Sequence, residues 1–324
     1  MLRKLFPSGV HISPAQSFNI VFFAEGFRAN EQASFTSACV TFYHKLVEIP
    51  PFNITRYRPE WLTIYTRFSP SANAGPAIGT AIPGRTIFES AIQPSGALTV
   101  NGELVNAAVT AETVRDTGAD VPLSEYCVTS SVPVGLKSTL IVVLLPSLPA
   151  PGAEVERIPG SDDVYFIATT QTGMWHQVVL RAVCKIIGLQ DEFEVAGPAF
   201  LEPTTKEERF QPFYNVQYLS IPPLTNGSPA KWRSLFGPAA QSSPASVHPR
   251  TGNVAVPDNT INATPTTPDR VEYFEGAAGF RTKVYRSAKD CLMRRRIGDP
   301  ALPLRNAPVP LCVACRRFLY SCIG

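Results

Sequence analysis

Two apolar segments on either side of an amphipathic one constrain what this chain can fold into. Residues 18–23, FNIVFF, are rich in β-branched and aromatic side chains and predict a buried strand that leaves through a sharp exit at Gly26. From residue 30 to residue 47 apolar side chains recur at helical spacing, which predicts an amphipathic helix with Asn30 as its N-cap. Residues 61–68 then alternate in polarity and predict a second strand. This β-α-β order predicts a layered α/β fold.

Two later segments extend the same layered fold. Residues 140–145, LIVVLL, predict a central strand, and residues 174–189 predict a core helix that ends at Gly188. Between about residues 203 and 269 the chain is rich in Pro, Ser, Thr and Asn with little periodicity, apart from a short helical pattern at residues 231–236. We therefore predict a single domain over the whole chain with an irregular surface excursion in that region.

Composition and charge exclude several classes of protein. The 324 residues are 44% hydrophobic and 17% charged, which is a globular composition, and the net charge of +3 is too small to indicate a nucleic-acid binder. No apolar run approaches the roughly 18 residues that a membrane span needs. The basic N-terminus meets Pro7, Ser8 and Gly9 where a secretory signal would be apolar. The sequence thus predicts a cytoplasmic or leaderless-secreted protein without a membrane span.

Motifs at both ends of the chain agree in order and spacing with the central helix. The front carries FNIVFFAEGF, a helix and then WLTIY; the back carries EYFEGAAGFRTKVYRSAKDCLMR followed by CVACRR. Together they resemble the IgA-peptidase family of zinc metallopeptidases, whose closing stretch has Glu-Gly, Gly-aromatic, Tyr-Arg, Cys-x-Met and Cys-x-x-Cys. The resemblance implies an α/β, metzincin-like zinc peptidase fold with a mixed sheet, a core helix and a cysteine-containing C-terminal segment.

The resemblance breaks at the metal site. In the family the core helix carries H-E-x-x-H, followed by a glycine and D-E-Y. Aligning residues 191–193 with D-E-Y places Leu180 and Cys184 at the two metal-binding histidines and Arg181 at the catalytic glutamate. Two imidazoles at i and i+4 share a zinc ion and the carboxylate activates its water, but leucine cannot coordinate and one thiolate is not a site. We therefore predict that the catalytic zinc is absent.

A peptidase fold without its zinc predicts a binding module. The cleft residues implied by the resemblance are Arg181, Asp191, Glu192, Tyr285 and Arg286, for each of which a satisfied ion pair or loop contact is the structural alternative. The predicted ligand is a peptide, a glycoprotein or a glycan, as in a lectin-like or defence role. The alternative function is an active metallopeptidase or hydrolase with relocated catalytic residues.

The cysteines divide into two groups. Three of the seven, Cys39, Cys127 and Cys184, lie in apolar sequence and predict buried thiols. The other four predict either a structural zinc site or a disulfide from Cys291 to one member of the Cys-x-x-Cys pair: Cys291, Cys312, Cys315 and Cys322. Met293 resembles the Met-turn that lies beneath the metal in related zinc peptidases.

Overall fold

The computed structural model describes most of the predicted elements. It covers residues 2–7, 17–53, 61–78, 86–93, 98–116, 119–122, 139–146, 156–157, 164–171, 175–190, 214–218, 231, 247–248, 273–278, 280–286, 291–294 and 311–323. The chain divides into two compact units, Met1–Ile186 and Ile187–Gly324. The boundary falls within the last turn of a helix, Trp175–Ile187, and a single domain over residues 1–324 stays a prediction.

The first unit contains both strands and helices. Its strands are β1 (Arg3–Phe6), β2 (Phe18–Ala24), β3 (Leu62–Arg67), β4 (Ala77–Ile78), β5 (Ala91–Ile92), β6 (Leu98–Thr99), β7 (Thr113–Asp116), β8 (Ala119–Pro122), β9 (Thr139–Leu145), β10 (Glu156–Arg157) and β11 (Val164–Thr170). Its helices are α1 (Gln32–Val47), α2 (Gly102–Ala111) and α3 (Trp175–Ile187). The strands predicted at 18–23, 61–68 and 140–145 and the helix predicted at 174–189 are confirmed as β2, β3, β9 and α3.

A six-stranded mixed sheet organises this unit, in the order β1-β3-β2-β9-β11-β10. The four inner strands are parallel to one another, whereas β1 and β10 are antiparallel edges. Every residue of β2 and of β9 is buried. Strands that are buried on both faces read as continuous apolar runs, which is why FNIVFF and LIVVLL were recognisable. The predicted mixed α/β class is confirmed.

Helices α1 and α3 cover one face of the sheet. Phe22 of β2 makes edge-to-face contacts with Phe42 of α1, at 5.3 Å between ring centroids, and with Trp175 of α3, at 6.3 Å. Phe42 and Trp175 stack on each other at 5.9 Å. Three aromatic rings thus join the central strand to both helices, and each such pair contributes about 0.5–1.5 kcal/mol beyond its buried area.

Helix α2 covers the opposite face. Its buried side chains Val105 and Val109 belong to one apolar cluster with Val21, Phe23 and Ile141 of the sheet. The residues of β2 therefore alternate between the two helical layers, with even-numbered side chains toward α1 and odd-numbered ones toward α2. The result is three layers: helices, sheet and helix.

Helix α1 begins differently from the prediction. Asn30 lies inside a 3-10 turn, Ala29–Glu31, that leads into the helix, so the prediction of Asn30 as N-cap is wrong. The N-cap position of α1 is Glu31, because the 3-10 turn before it is closed by a hydrogen bond of 2.6 Å from the backbone N–H of Arg28 to the Glu31 carboxylate. A glutamate three residues after the cap is the second half of a capping box.

A buried carboxylate lies at the end of the central strand. Glu25 is the first residue after β2, and its backbone N–H donates to the carbonyl of Leu144 at 3.0 Å. Its two carboxylate oxygens accept hydrogen bonds from the backbone N–H groups of Phe88 and Ser90, each at 3.1 Å. The charged group is therefore satisfied by amides, and it ties the segment around residue 88 to the sheet.

The next residue, Gly26, is packed against another backbone. It has φ +70°, and a Cβ built on it would lie 2.8 Å from both the N and the Cα of Gly75. Gly26 also donates to the Ser71 hydroxyl at 3.0 Å and accepts from the Gly75 N–H at 2.9 Å. The predicted sharp exit at Gly26 is confirmed, and only glycine fits it.

The second unit contains a smaller sheet and a helix. Its strands are β12 (Val216–Tyr218), β13 (Val247–His248), β14 (Tyr273–Ala277) and β15 (Phe280–Arg286), in the order β12-β15-β14-β13, and its helix is α4 (Val313–Ile323). Gly188, with φ +122°, ends α3 as predicted. Just beyond it, the buried Asn215 accepts from the Gln190 N–H at 2.9 Å and donates to the Gln190 carbonyl at 2.7 Å.

The predicted irregular excursion at residues 203–269 contains two of these strands. β12 pairs with β15 and β13 pairs with β14. Strands of three and two residues are too short to produce a readable alternation, so the sequence pattern missed them. The helical pattern at 231–236 lies outside the described residues except for Lys231, whose ammonium group donates to the Val216 carbonyl at 3.1 Å.

Candidate functional site

Helix α3 carries the positions that the resemblance assigns to catalysis, and all three are buried. Leu180 is 1% exposed, Cys184 is 0% exposed and Arg181, between them, is 8% exposed. Residues 180 and 184 are one helical turn apart on the same face, which is the spacing that two zinc-binding imidazoles need. The backbone of α3 thus has the helical spacing of such a site, but the side chains at these three positions are buried in the protein.

These three side chains cannot perform zinc-peptidase chemistry. Leu180 has no ligand atom, and the guanidinium of Arg181 is permanently cationic and has no lone pair for a metal. Burial raises the pKa of the Cys184 thiol far above its ordinary value, and the opposing effect of Arg181 is smaller. The thiol is therefore neutral, in the form that is both the poor ligand and the poor nucleophile. The residues present at this position do not fit a catalytic zinc.

Another buried side chain on this helix, the polar Gln177, escaped the sequence reasoning. Gln177 precedes Arg181 by one turn and is 1% exposed, and neither its amide nitrogen nor its amide oxygen has a hydrogen-bond partner in the part of the chain that the structure describes. An unsatisfied buried amide costs about 1–3 kcal/mol. The sequence did contain an indication of this residue. Gln177 lies four residues before Arg181, so the two polar side chains share one face of an otherwise apolar helix.

The other predicted cleft residues lie outside the described residues or belong to the second unit. Asp191 and Glu192 lie outside the described residues. Tyr285 and Arg286 are the last two residues of β15 in the second unit, where Tyr285 is opposite Gln217 of β12. Arg181 belongs to the first unit. A common cleft formed by these residues stays a prediction.

His176 next to Gln177 is half-buried, and its Nε2 atom has no hydrogen-bond partner among the described residues. The pKa of His176 is lowered from its ordinary value of 6.5, first by burial and then by the positive charge of Lys45, with Glu48 opposing the shift. The imidazole therefore accepts a proton less readily in the folded protein than in the unfolded chain.

This shift predicts a loss of stability in acid. As the pH falls through 6.5, the His176 imidazole binds a proton in the unfolded chain before it does so in the folded protein. The free energy of unfolding therefore declines, and the decline ends below the pKa of His176 in the folded protein. We expect urea unfolding at pH 7.5 and pH 5.5, values chosen on either side of the reference pKa of about 6.5, to show a smaller decline in His176→Gln than in the unmodified protein. His44→Gln, at an exposed position of α1, is the matched control. An equal decline in all three proteins would contradict the assignment.

The alternative of a cysteine hydrolase finds no support on α3. Cys184 and His176 are eight residues apart in the sequence, which is about 12 Å along a helix axis. The thiol is fully buried and neutral, so it has neither the thiolate form nor the exposure that a nucleophilic cysteine needs. Cys39 is likewise buried, as predicted, whereas Cys127 lies outside the described residues.

The C-terminal cysteines form a second candidate site, in the second unit. The Sγ atoms of Cys291, Cys312 and Cys315 all lie within 4.8 Å of one another, and all three residues are buried. Each is a thiol and not half of a disulfide, and burial raises the pKa of Cys315, reinforced by its hydrogen bonds with the other two. Cys322 is a free, half-buried thiol outside this group. The structure thus brings together three of the four predicted ligands.

Met293 lies beside this cluster. It belongs to the 3-10 turn Leu292–Arg294 that follows Cys291, and it is fully buried. A position beneath the metal site of a zinc peptidase would require Met293 to lie under α3. That role stays a prediction.

Comparisons with known proteins give no relative: no model of a known protein family matches the chain, and no curated protein matches it. Among the helices that the structure describes, none combines the length and the apolarity needed to cross a bilayer.

Proposed function

We propose that this protein is a degenerate, non-catalytic relative of the IgA-peptidase family that binds a peptide, glycoprotein or glycan without cutting it. The observation that carries the proposal is the helix face at Leu180, Arg181 and Cys184, where the spacing suits a zinc peptidase and the buried side chains do not. A metzincin-like fold is part of the proposal, and it is supported by the mixed sheet and by the core helix that follows β11.

The free edge of the sheet favours a polypeptide over a free glycan. Of the two edge strands, β1 has a register irregularity between Lys4 and Phe6 that disfavours pairing with a further strand, whereas β10 pairs, among the described strands, with β11 alone and antiparallel to it. An edge strand presents unpaired backbone N–H and C=O groups, and an extended peptide pairs with them as an additional strand. A segment of a glycoprotein can bind in the same way, with its glycan outside the edge. We therefore expect the ligand to be an extended polypeptide, with or without sugar.

Binding of the full chain to three panels tests this function. The panels are an array of unstructured peptides, a set of glycoproteins measured before and after enzymatic deglycosylation, and a glycan array. We expect binding to peptides and to both forms of the glycoproteins, with no cleavage on prolonged incubation. Binding to free glycans alone would contradict the polypeptide ligand, and proteolysis that a chelator abolishes would contradict the non-catalytic reading of α3.

Proline substitutions locate the binding edge. Glu156→Pro and Arg157→Pro each remove one backbone N–H from β10, and the variant whose N–H faces outward should bind its peptide roughly tenfold more weakly. Lys4→Pro in β1, at the opposite edge of the same sheet, is the matched control and should leave affinity unchanged. Thermal unfolding of all three variants identifies any that lose the fold instead. Equal affinity in both well-folded β10 variants would place the ligand elsewhere.

A further inference from the structure

Two separate segments of the second unit place three cysteine sulfurs together. Cys291 comes directly before the 3-10 turn Leu292–Arg294, and the pair Cys312 and Cys315 lies at the start of α4. All three sulfur atoms lie within 4.8 Å of one another. Cys-x-x-Cys is the usual spacing of two ligands in a zinc site. Here Cys291, from a separate segment, supplies a third sulfur beside this pair.

The sulfur spacing matches a shared metal. With Zn–S bonds of about 2.3 Å, the edge of a tetrahedral thiolate site is about 3.8 Å. The Sγ atoms of Cys291 and Cys315 are 3.8 Å apart. A disulfide would bring two of these atoms to about 2.05 Å. The Cys291 and Cys315 sulfurs therefore lie at the spacing of metal ligands and not at that of a bonded pair, and the Cys312 sulfur lies within 4.8 Å of both.

Burial favours the neutral thiols while no metal is bound, and two features would stabilise the sulfur atoms once a metal ion has displaced their protons. The backbone N–H of Cys312 donates to the Sγ atom of Cys291 at 3.3 Å, and such N–H groups stabilise a metal-bound thiolate. Cys312 and Cys315 also lie at the amino end of the eleven-residue helix α4, where the helix dipole favours negative charge. All three residues are buried.

We propose that Cys291, Cys312 and Cys315 bind a structural zinc ion that joins α4 to the turn at residues 292–294. Each thiol loses its proton on binding, so three thiolates and Zn²⁺ together carry one negative charge. Thiolate ligands select zinc over magnesium or calcium, and a fourth ligand comes from elsewhere in the chain or from water. The site lies in the second unit and does not depend on the proposed loss of catalysis at α3.

Cys322 supplies a control within the same helix. It follows Cys315 by seven residues, which is about 10 Å along the axis of α4, so the two sulfurs cannot share one ion within that helix. Cys322 is also half-exposed, whereas the three cluster cysteines are buried. A serine at position 322 removes a thiol from the same C-terminal segment without removing a proposed ligand.

Metal analysis of the untagged, full-length protein tests the site. We expect equimolar zinc, without comparable iron or copper, and on replacement by Co²⁺ we expect the near-ultraviolet charge-transfer band of cobalt thiolates. Loss of an outer-shell partner alone lowers metal affinity by roughly 10–100-fold, so Cys291→Ser, Cys312→Ser and Cys315→Ser should each lower it by at least that much. Cys322→Ser should retain zinc and the cobalt band.

The unmodified protein decides the question even if the serine variants do not fold. Absence of zinc after purification and refolding with zinc, together with no cobalt thiolate band, would overturn the proposal. A disulfide between Cys291 and either member of the pair, mapped in protein kept under reducing conditions, would overturn it as well. Loss of zinc in a folded Cys322→Ser protein would also reject the three-cysteine assignment.

Discussion

Rebuilding the family's metal motif is expected to destabilise the protein without zinc and to stabilise it with zinc. The variant Leu180→His/Arg181→Glu/Cys184→His places two imidazoles at buried positions. An unsatisfied buried polar group costs about 1–3 kcal/mol, so the free energy of unfolding should fall by about 2–6 kcal/mol. Zinc that binds only the folded form should restore part of this loss, and more at higher zinc concentration. Urea unfolding with and without zinc measures both effects.

An exposed pair of histidines is the matched control. Ser37→His/Thr41→His introduces the same i, i+4 spacing on the exposed side of α1. It should bind zinc weakly without a loss of stability in its absence, because its imidazoles remain hydrated. If the α3 variant is as stable as the unmodified protein without zinc, positions 180 and 184 are not interior positions. If zinc restores nothing, the helix lacks the metal geometry that the resemblance implies.

Gly26→Ala should be the most damaging single substitution of a glycine in the described first unit. Its φ of +70° disfavours any side chain, at about 1–2 kcal/mol, and its Cβ would lie 2.8 Å from backbone atoms of Gly75, which cannot rotate away. We therefore expect the free energy of unfolding to fall by about 3 kcal/mol or more. Equilibrium unfolding in urea, compared with the unmodified protein, is the measurement.

Gly102→Ala is the control for that substitution. Gly102 is the first residue of α2, and a Cβ there would meet only the Phe166 ring, at an ordinary 3.5 Å. Alanine is the better helix former by about 1 kcal/mol, so this variant should be as stable as the unmodified protein or slightly more stable. Similar destabilisation of both variants would mean that the close approach of Gly26 to Gly75 is not what limits substitution there.

The elements that could be predicted from the sequence are those with a long, one-sided or fully apolar pattern. β2, β9 and α3 were identified because buried parallel strands and a core helix leave continuous or periodic apolar residues. Helix α2 was missed although Asn101 marks its start by accepting from the N–H groups of Glu103 and Leu104. The cap alone did not stand out in a chain with many asparagine and threonine residues.

The candidate sites were predictable in their residue types but not in their grouping. Four C-terminal cysteines were recognisable as possible ligands, but which of them meet depends on how Cys291 packs against α4, and Cys322 is left out by the length of that helix. The buried amide of Gln177 depends on both sides of α3 being covered, which a single amphipathic pattern does not reveal. Long-range packing decides both.

The amide-bound carboxylate of Glu25 has a consequence for where any ligand can bind. β2 connects to β3 on one side, whereas its other neighbour β9 connects toward β10 and β11, so the connections from the adjacent strands β2 and β9 leave in opposite directions across the sheet. In open α/β sheets this topological switch point, at the carboxyl ends of the strands, is where ligands usually enter. Here the protein's own side chain already occupies the two amides that an anionic ligand would use at that point. An anionic cofactor would therefore have to displace Glu25 to gain these two donors.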